Sequence, residues 1–258
     1  MYHFFVSTQQ IIDNQITITG SDVNHIRNVL RLKPGEIILI SDDRQMDYRC
    51  KISRLETEFV IAAIQEKEEN NHELPARIYL FQGLPKSDKM EWIIQKAVEL
   101  GVYQIIPISM KNCVVKLDAK KAETKLRRWN AISESAAKQS KRSMVPQISP
   151  ILSFSEAISS YAFLSKKLMA YENALGMAAT KEHLESIKPG MDIGIFIGPE
   201  GGFDQTEVEI AMKHHLCPIS LGKRILRTET AGLTALSLLM YQLETLEINH
   251  LSKDRIIE

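Results

Sequence analysis

Two strings concentrate the residue types from which a ligand pocket is built: IGPEGGF at 197–203 and LGKRILRTETA at 221–231. Gly198, Gly201 and Gly202 admit backbone angles closed to other residues and let a ligand approach the main chain. The first string follows DIGIFIG, an apolar run that reads as a buried strand, and ligands of open α/β sheets sit beyond the carboxyl ends of strands. Asp204, Gln205, Thr206 and Glu207 then lead into a helix whose N-terminus favours negative charge, such as a ligand carboxylate. In the second string Leu221 and Gly222 close the next strand. Lys223, Arg224 and Arg227 bring cations to the same end of the sheet, and Thr228 or Thr230 caps the last helix with Glu229 nearby. Either string alone is also what a strand-to-helix turn or a capped helix with a basic loop would contain. Two of them, from successive strands at one sheet edge, predict a shared pocket. Neither is GxGxxG or GxxxxGK[ST], so the dinucleotide and P-loop readings lack their fingerprints.

The formal net charge is zero, with 32 basic and 32 acidic side chains, but the charges are segregated. From Lys111 to Arg142 there are ten Lys and Arg against three Asp and Glu, whereas 56–73 holds six Glu against one Lys. The basic segment reads either as a solvated helix face or as a phosphate contact favoured by counterion release. The acidic one reads as a strand end followed by a solvated linker.

The elements that must position the two strings change character at that linker. Before it, YHFFV, ITITG, EIILIS, DYRCKIS and EFVIAAI predict short strands of a small barrel. One helix interrupts them, capped by Ser21 or Asp22 and running through HIRNVLRL to Lys33, Pro34 and Gly35. After it, strand and helix alternate. RIYLFQG is a strand. DKMEWIIQKAVELG is a helix with an Asp88–Glu91 capping box, a stripe of Met90, Ile93, Ile94, Ala97 and Val98, and Gly101 at its stop. QIIPI, a helix over 119–140, KKLMAY, a helix over ATKEHLESI, DIGIFIG, a helix over TEVEIAMKHH, CPISLG and a last helix follow. That rhythm predicts an α/β domain with a mostly parallel sheet covered on both faces.

Composition excludes other classes. Hydrophobic residues make up 44% and charged ones 25%, as in ordinary globular chains. Cys50, Cys113 and Cys217 are scattered and the histidines show no ligand spacing, so neither a disulfide framework nor a metal site is expected. MYHFFVSTQQ is not a secretory signal, and LTALSLLMYQL is too short to span a bilayer. A cytoplasmic protein with no membrane partner is expected.

IGPEGGF and LGKRILRTETA, in this order and spacing, resemble the last two signature motifs of the RsmE family within the SPOUT methyltransferases. HIRNVLR with Pro34 and Gly35 resembles the family's N-terminal motif, and KMEWIIQKAVELGV the helix after its first catalytic-domain strand. RRWNAISESAAKQSKRSMVP, with Gln139, Arg142 and Pro146, resembles its basic helix; KNCVVK departs from a usually serine-rich loop. The resemblance implies an N-terminal PUA-like small β-barrel domain over 1–72 that binds RNA. Over 73–258 it implies a SPOUT domain whose mostly parallel sheet carries a deep trefoil knot. It further implies a homodimer with S-adenosyl-L-methionine (SAM) bound in the knot. The reaction implied is methylation of N3 of a uridine in the decoding region of 16S rRNA, within the small ribosomal subunit.

On the family pattern Leu221, Gly222, Ile225 and Leu226 hold the adenine, and Ile197, Gly198, Pro199, Glu200, Gly201 and Gly202 wrap the other side. Leu168, Met169 and Ala170 end the preceding strand, and Thr228, Thr230 and Ala231 complete the pocket. Uracil N3 holds its proton at neutral pH, so the proton must be removed or the forming anion stabilised. Arg224 or Arg227 would stabilise charge on the uracil oxygens; Glu200 or Glu229 would accept the proton, each being equally a candidate for a structural cap or an ion-pair partner. RNA contacts fall to His25, Arg27, Arg31, Lys86, Lys89, Arg128, Lys138 and Arg142. Two alternatives compete: a related SPOUT enzyme with another target, such as a ribose 2′-hydroxyl, and a non-catalytic RNA-binding protein. HIRNVLR argues against the first, and the intact IGPEGG and LRTETA strings against the second.

Overall fold

The computed structural model describes residues 1–44, 46–69 and 72–254. They divide into two units: Met1–Glu73 with Ala137–Val145, and Leu74–Ala136 with Pro146–Glu258.

The first unit is built on a six-stranded sheet in the order β1-β4-β5-β6-β3-β2. Its strands are β1 (His3–Val6), β2 (Ile11–Ile12), β3 (Gln15–Thr19), β4 (Ile37–Asp42), β5 (Met46–Leu55) and β6 (Phe59–Glu69). Only β1 and β4 pair in parallel. Alternation selects the inward residues: Ile16 and Ile18 of β3, Ile38 and Ile40 of β4 and Ile52 of β5 are buried together with Phe4 and Val60. β6 runs to Glu69, so much of the acidic stretch is strand and not linker.

Two local expectations fail here. The interrupting helix is α1 (Ser21–Asn24) with Gly20 at its N-cap, and neither Ser21 nor Asp22 caps it. It then widens into a π turn over His25–Val29, closed by the Leu30 N–H bonding the His25 carbonyl at 2.8 Å. It stops short of Lys33, and Arg31 leaves it with φ +54°.

The second unit carries a seven-stranded sheet. Its order is β10-β8-β7-β12-β11-β13, with β9 beside β8, and every pairing is parallel. The strands are β7 (Arg77–Gly83), β8 (Gln104–Ser109), β9 (Gln147–Ile148), β10 (Leu152–Ser153), β11 (Lys166–Ala170), β12 (Asp192–Ile197) and β13 (Cys217–Ile219). β7 and β12 are buried almost end to end, as central strands covered on both faces must be, and Phe81 stacks on Phe196 at 4.1 Å. The helices are α2 (Lys89–Glu99), α3 (Ala119–Ser140), α4 (Phe154–Ser160), α5 (Met177–Glu185), α6 (Gln205–Lys213) and α7 (Thr228–Asp254).

All five stripe residues of α2 are buried, but its capping box does not form. Asp88 occupies the N-cap without a side-chain cap bond, and Glu91 receives Arg128 at 2.6 Å. Strands β9 and β10 and helix α4 were not expected from the sequence; they are short, and α4 is announced only by a Ser153–Glu156 capping box. His214 caps the C-terminus of α6 and His215 lies beyond it with φ +59°, so the two are not helical neighbours. Among the described residues no helix is long and apolar enough to cross a membrane, and no group of His, Cys, Asp and Glu could hold a metal.

Candidate active site

Beyond the carboxyl ends of β11, β12 and β13 lies a cleft of about 520 Å³, a size that suits a small organic ligand. Its walls are Ala170–Glu172, Ile197–Glu200 with Gly202 and Phe203, and Ile219–Thr228 with Ala231. The two signature strings therefore face one space, although their strands are not neighbours. β11 lies between β12 and β13, and so Tyr171 and Glu172 enter the wall between the two loops. Sequence patterning did not single these two out. Tyr171 ends the predicted strand KKLMAY and Glu172 follows it, and that place at a carboxyl end is the signal that would have found them. Phe203 and Lys223, each within one of the two strings, line the cleft as well, and Ile219 and Ser220 do so without having been expected.

Other expected residues lie elsewhere. Leu168 and Met169 are fully buried inside β11 and do not reach the cleft. Gly201 and Thr230 are not in its wall either. Ile225 is in the wall yet 90% exposed.

The glycine loop is held by close backbone approach. Of its three glycines only Gly202, at φ +67°, uses the left-handed region. Gly198 is needed for space, since a Cβ there would come within 3.2 Å of the Gly202 carbonyl carbon. At Gly201 a Cβ would meet Asn112, whose Nδ2 donates to the carbonyls of Gly201 and Gly202 at 3.0 and 3.3 Å. From β7, Gly83 lets the Pro199 nitrogen approach within 2.6 Å of where its Cβ would be. From α7, the Thr228 hydroxyl donates to the Gly198 carbonyl at 2.6 Å. Thr228 and Thr230 both lie inside α7 instead of capping it.

Next to the loop, the N-terminus of α6 carries its own carboxylates. Asp204 accepts from the Thr206 N–H at 3.0 Å, and the Glu207 side chain reaches back to the Asp204 N–H at 2.9 Å. The Thr206 hydroxyl and then the Lys111 ammonium hold the Asp204 carboxyl down at about 2. That helix end is therefore filled from within the chain and does not wait for a ligand carboxylate.

The two expected proton acceptors share one cation. Lys89 Nζ lies 3.2 Å from Glu200 and 3.2 Å from Glu229, and the Lys86 N–H donates to Glu200 at 3.1 Å. Burial by itself pushes the Glu200 carboxyl up. Its own backbone N–H, that of Lys86 and the Lys89 ammonium outweigh this and hold it below the usual carboxylate range. Hydrogen bonds to Glu200 and then Glu229 raise Lys89 in turn. Arg224 and Arg227 line the cleft with exposed side chains.

The eight cations expected to meet RNA separate into two groups. His25 and Arg31 are exposed and Arg27 half-buried at the π turn, Lys86 is exposed, and Arg128 is 64% exposed while touching Glu91. Lys89 is committed to the two glutamates. Lys138, 21% exposed, pairs with Asp22 at 2.8 Å and lies over the Phe4 ring. Arg142 is buried at 3% exposure and forks onto Glu73, with Nε at 2.8 and 3.0 Å from its two oxygens. Ser143 adds its N–H and hydroxyl to the same carboxylate at 3.0 and 3.1 Å. Lys138 and Arg142 are thus fastenings of the first unit rather than surface cations, and Glu73 is their counterpart rather than part of a solvated linker.

The chain is similar to known proteins over nearly all its length. Residues 72–240 match the model of an RNA methyltransferase domain and residues 18–65 that of an RNA methyltransferase PUA domain. The ribosomal RNA small subunit methyltransferase E of Bacillus subtilis is 38% identical over 95% of this chain and 98% of its own. A methyltransferase of Legionella pneumophila, solved with SAM bound, superposes with a TM-score of 0.82 at 29% identity over 93% of this chain and 97% of that one. The ribosomal RNA small subunit methyltransferase E of Neisseria gonorrhoeae, also bound to SAM, does so with a TM-score of 0.78 at 33% identity over 92% and 96%.

Proposed function

The chain belongs to the ribosomal RNA small subunit methyltransferase E family, and from that premise we propose that it transfers the methyl group of SAM to N3 of a uridine in the decoding region of 16S rRNA. The target in this reading is the assembled small subunit. The observation that carries it is the cleft, in which the glycine loop and the LGKRILRTETA loop share one space with cations at its mouth.

The cleft suits SAM in kind. Ile219, Leu221, Leu226 and Ala231 offer an apolar slot for a flat base. Gly198 and Gly202 offer bare backbone in the cleft wall, where a ligand can approach the main chain. When bound, SAM supplies a methyl group on a sulfonium that is open to in-line displacement. The protein's task is then to set uracil N3 opposite that methyl, with the base withdrawn from its stack.

Arg224 and Arg227 line the cleft, and in this reading they stabilise the negative charge that grows on the uracil carbonyl oxygens. Glu200 is held ionised, and one of its oxygens, Oε1, already accepts from both the Lys86 N–H and the Lys89 ammonium. A carboxylate kept that low is a weak base. The reading therefore gives the arginines the larger share of the work and leaves Glu200 and Glu229 to orient Lys89 and the loop. Residues 1–72 serve as the RNA-binding part, with His25, Arg27 and Arg31 toward phosphate, and 73–258 as the transfer part, with Lys86 and Arg128 adding cations. The family's deep trefoil knot and homodimer, and a cytoplasmic location, belong to the same reading.

The experiment is methylation of small subunits from a strain lacking this gene, followed by mass mapping of the rRNA. One methyl on N3 of one decoding-region uridine is expected. Transfer to a ribose hydroxyl, or none, would overturn the assignment.

A further inference from the structure

Gln82 is a fully buried amide in β7, following Leu80 and Phe81, which are also fully buried. Its Nε2 donates to Thr228 Oγ1 at 2.8 Å and to the Gly83 carbonyl at 3.0 Å. Both amide protons are thereby used, and this fixes the orientation of the amide. Turned over, Oε1 would face the Gly83 carbonyl, acceptor against acceptor. Having accepted from Gln82, the Thr228 hydroxyl has its one proton left for the Gly198 carbonyl, which it reaches at 2.6 Å. Thr228 and Gly198 line the cleft and Gln82 does not. A directed hydrogen-bond chain thus starts in the core of the sheet and ends on the glycine loop.

Two unfavourable features are kept beside this chain. Gln82 Oε1 is buried with no hydrogen-bond partner among the described residues, a state proteins usually avoid. Opposite it α7 carries Gly232, a residue that weakens a helix interior; a Cβ there would lie 3.3 Å from Oε1. A leucine or methionine at 82 and an alanine at 232 would remove both features if filling space were the only requirement.

We propose that Gln82 is a positioning residue for methyl-donor binding: its amide sets the direction of the Thr228 hydroxyl, and that hydroxyl pins the Gly198 carbonyl and with it the loop that wraps the donor. The inference rests on the reading of the cleft as a SAM site.

The test is calorimetric titration of the full-length protein with SAM, with a thermal melt of each variant. Gln82→Met and Thr228→Val each remove one link while keeping volume, and each is expected to weaken SAM binding about tenfold. Because both act through one chain, the double variant should be about as weak as the weaker single, not about a hundredfold down. Thr228→Ser, which keeps the hydroxyl, should lose less than Thr228→Val. In turnover the KM for SAM should rise more than kcat falls. Gly232→Ala covers the case in which Gln82→Met does not fold: it improves the helix former, crowds Oε1, and should still weaken SAM. Wild-type affinity in Gln82→Met or Gly232→Ala, or a double variant equal to the product of the singles, would overturn the inference while wild-type binding kept the SAM reading intact. Absence of SAM binding by the wild-type protein would instead overturn the reading of the cleft, and this role of Gln82 with it.

Discussion

Gly83→Ala tests whether the close approach of β7 to the glycine loop sets the cleft. Gly83 has no left-handed backbone angle, so alanine is tolerated by the chain itself and the whole effect is one methyl group. That methyl would lie 2.6 Å from the Pro199 nitrogen, 2.7 Å from Pro199 Cδ and 3.0 Å from the Gly198 carbonyl carbon. Ordinary contact begins at 3.4 Å, so the loop must retreat from β7 by about 0.8 Å, the gap between 2.6 and 3.4 Å. Overpacking of this kind costs about 1–3 kcal/mol of stability, and a displacement near 1 Å at a reacting site costs about a hundredfold in rate. The assay pairs SAM titration and small-subunit methylation with thermal melts. Gly190→Ala serves as a control, because φ there is +81° with nothing within 4 Å of the new Cβ; it carries backbone strain without touching the cleft. Gly83→Ala is expected to lose SAM affinity and about two orders of magnitude in rate, whereas Gly190→Ala loses stability alone. Equal losses of stability in the two, with SAM affinity retained in both, would refute the argument that this contact shapes the site.

Arg142→Ala leaves the Glu73 carboxylate without its buried partner and should lower stability by about 3–5 kcal/mol in urea denaturation, as loss of one member of a buried pair does. His3 carries a pH dependence: burial first of all, with Lys138 and His72 adding, outweighs the opposing pull of Asp47 and lowers its pKa to about 4 from 6.5. The unfolded chain therefore binds the proton more readily, and stability should be complete above pH 6.5 and fall as pH drops toward about 4. Melts of His3→Gln across that window should show a flatter slope. Arg27→Ala and Arg31→Ala should each reduce the slope of log affinity against log salt for small-subunit rRNA by about 0.7–0.9, with little change in melting temperature; an unchanged slope would remove the π turn and the residues that follow it from the RNA contact.

Local signals in the sequence carried most elements. The α2 stripe and the continuous apolar runs of β7 and β12 were legible because helix and buried-strand patterns are written in neighbouring residues. The insertion of β11 between β12 and β13 was not, because strand order in a parallel sheet is set by crossovers and leaves no local trace; Tyr171 and Glu172 were missed with it. The basic segment from Lys111 to Arg142 read as solvated or phosphate-bound, whereas Arg142 is matched to a glutamate 69 residues away. Charge counts along a chain cannot register such a pairing. The two loop strings predicted a pocket, but the detailed roles changed: Asp204 satisfies its own helix, and Glu200 and Glu229 answer to Lys89.

Helix α3 begins in one unit and ends in the other, since Ala137–Val145 packs with Met1–Glu73. The amino-terminal unit is therefore discontinuous, and translation cannot finish it when its first 73 residues leave the ribosome. Another 72 residues, from 74 to 145, must follow before the unit is complete, with Lys138 on Asp22 and Arg142 on Glu73. At roughly 5–20 residues per second that is a wait of about 4–14 s. For that interval the nascent strands lack their cationic latch, so a polypeptide cut after Glu73 should emerge as a ready client for chaperones rather than as a module to be grafted elsewhere.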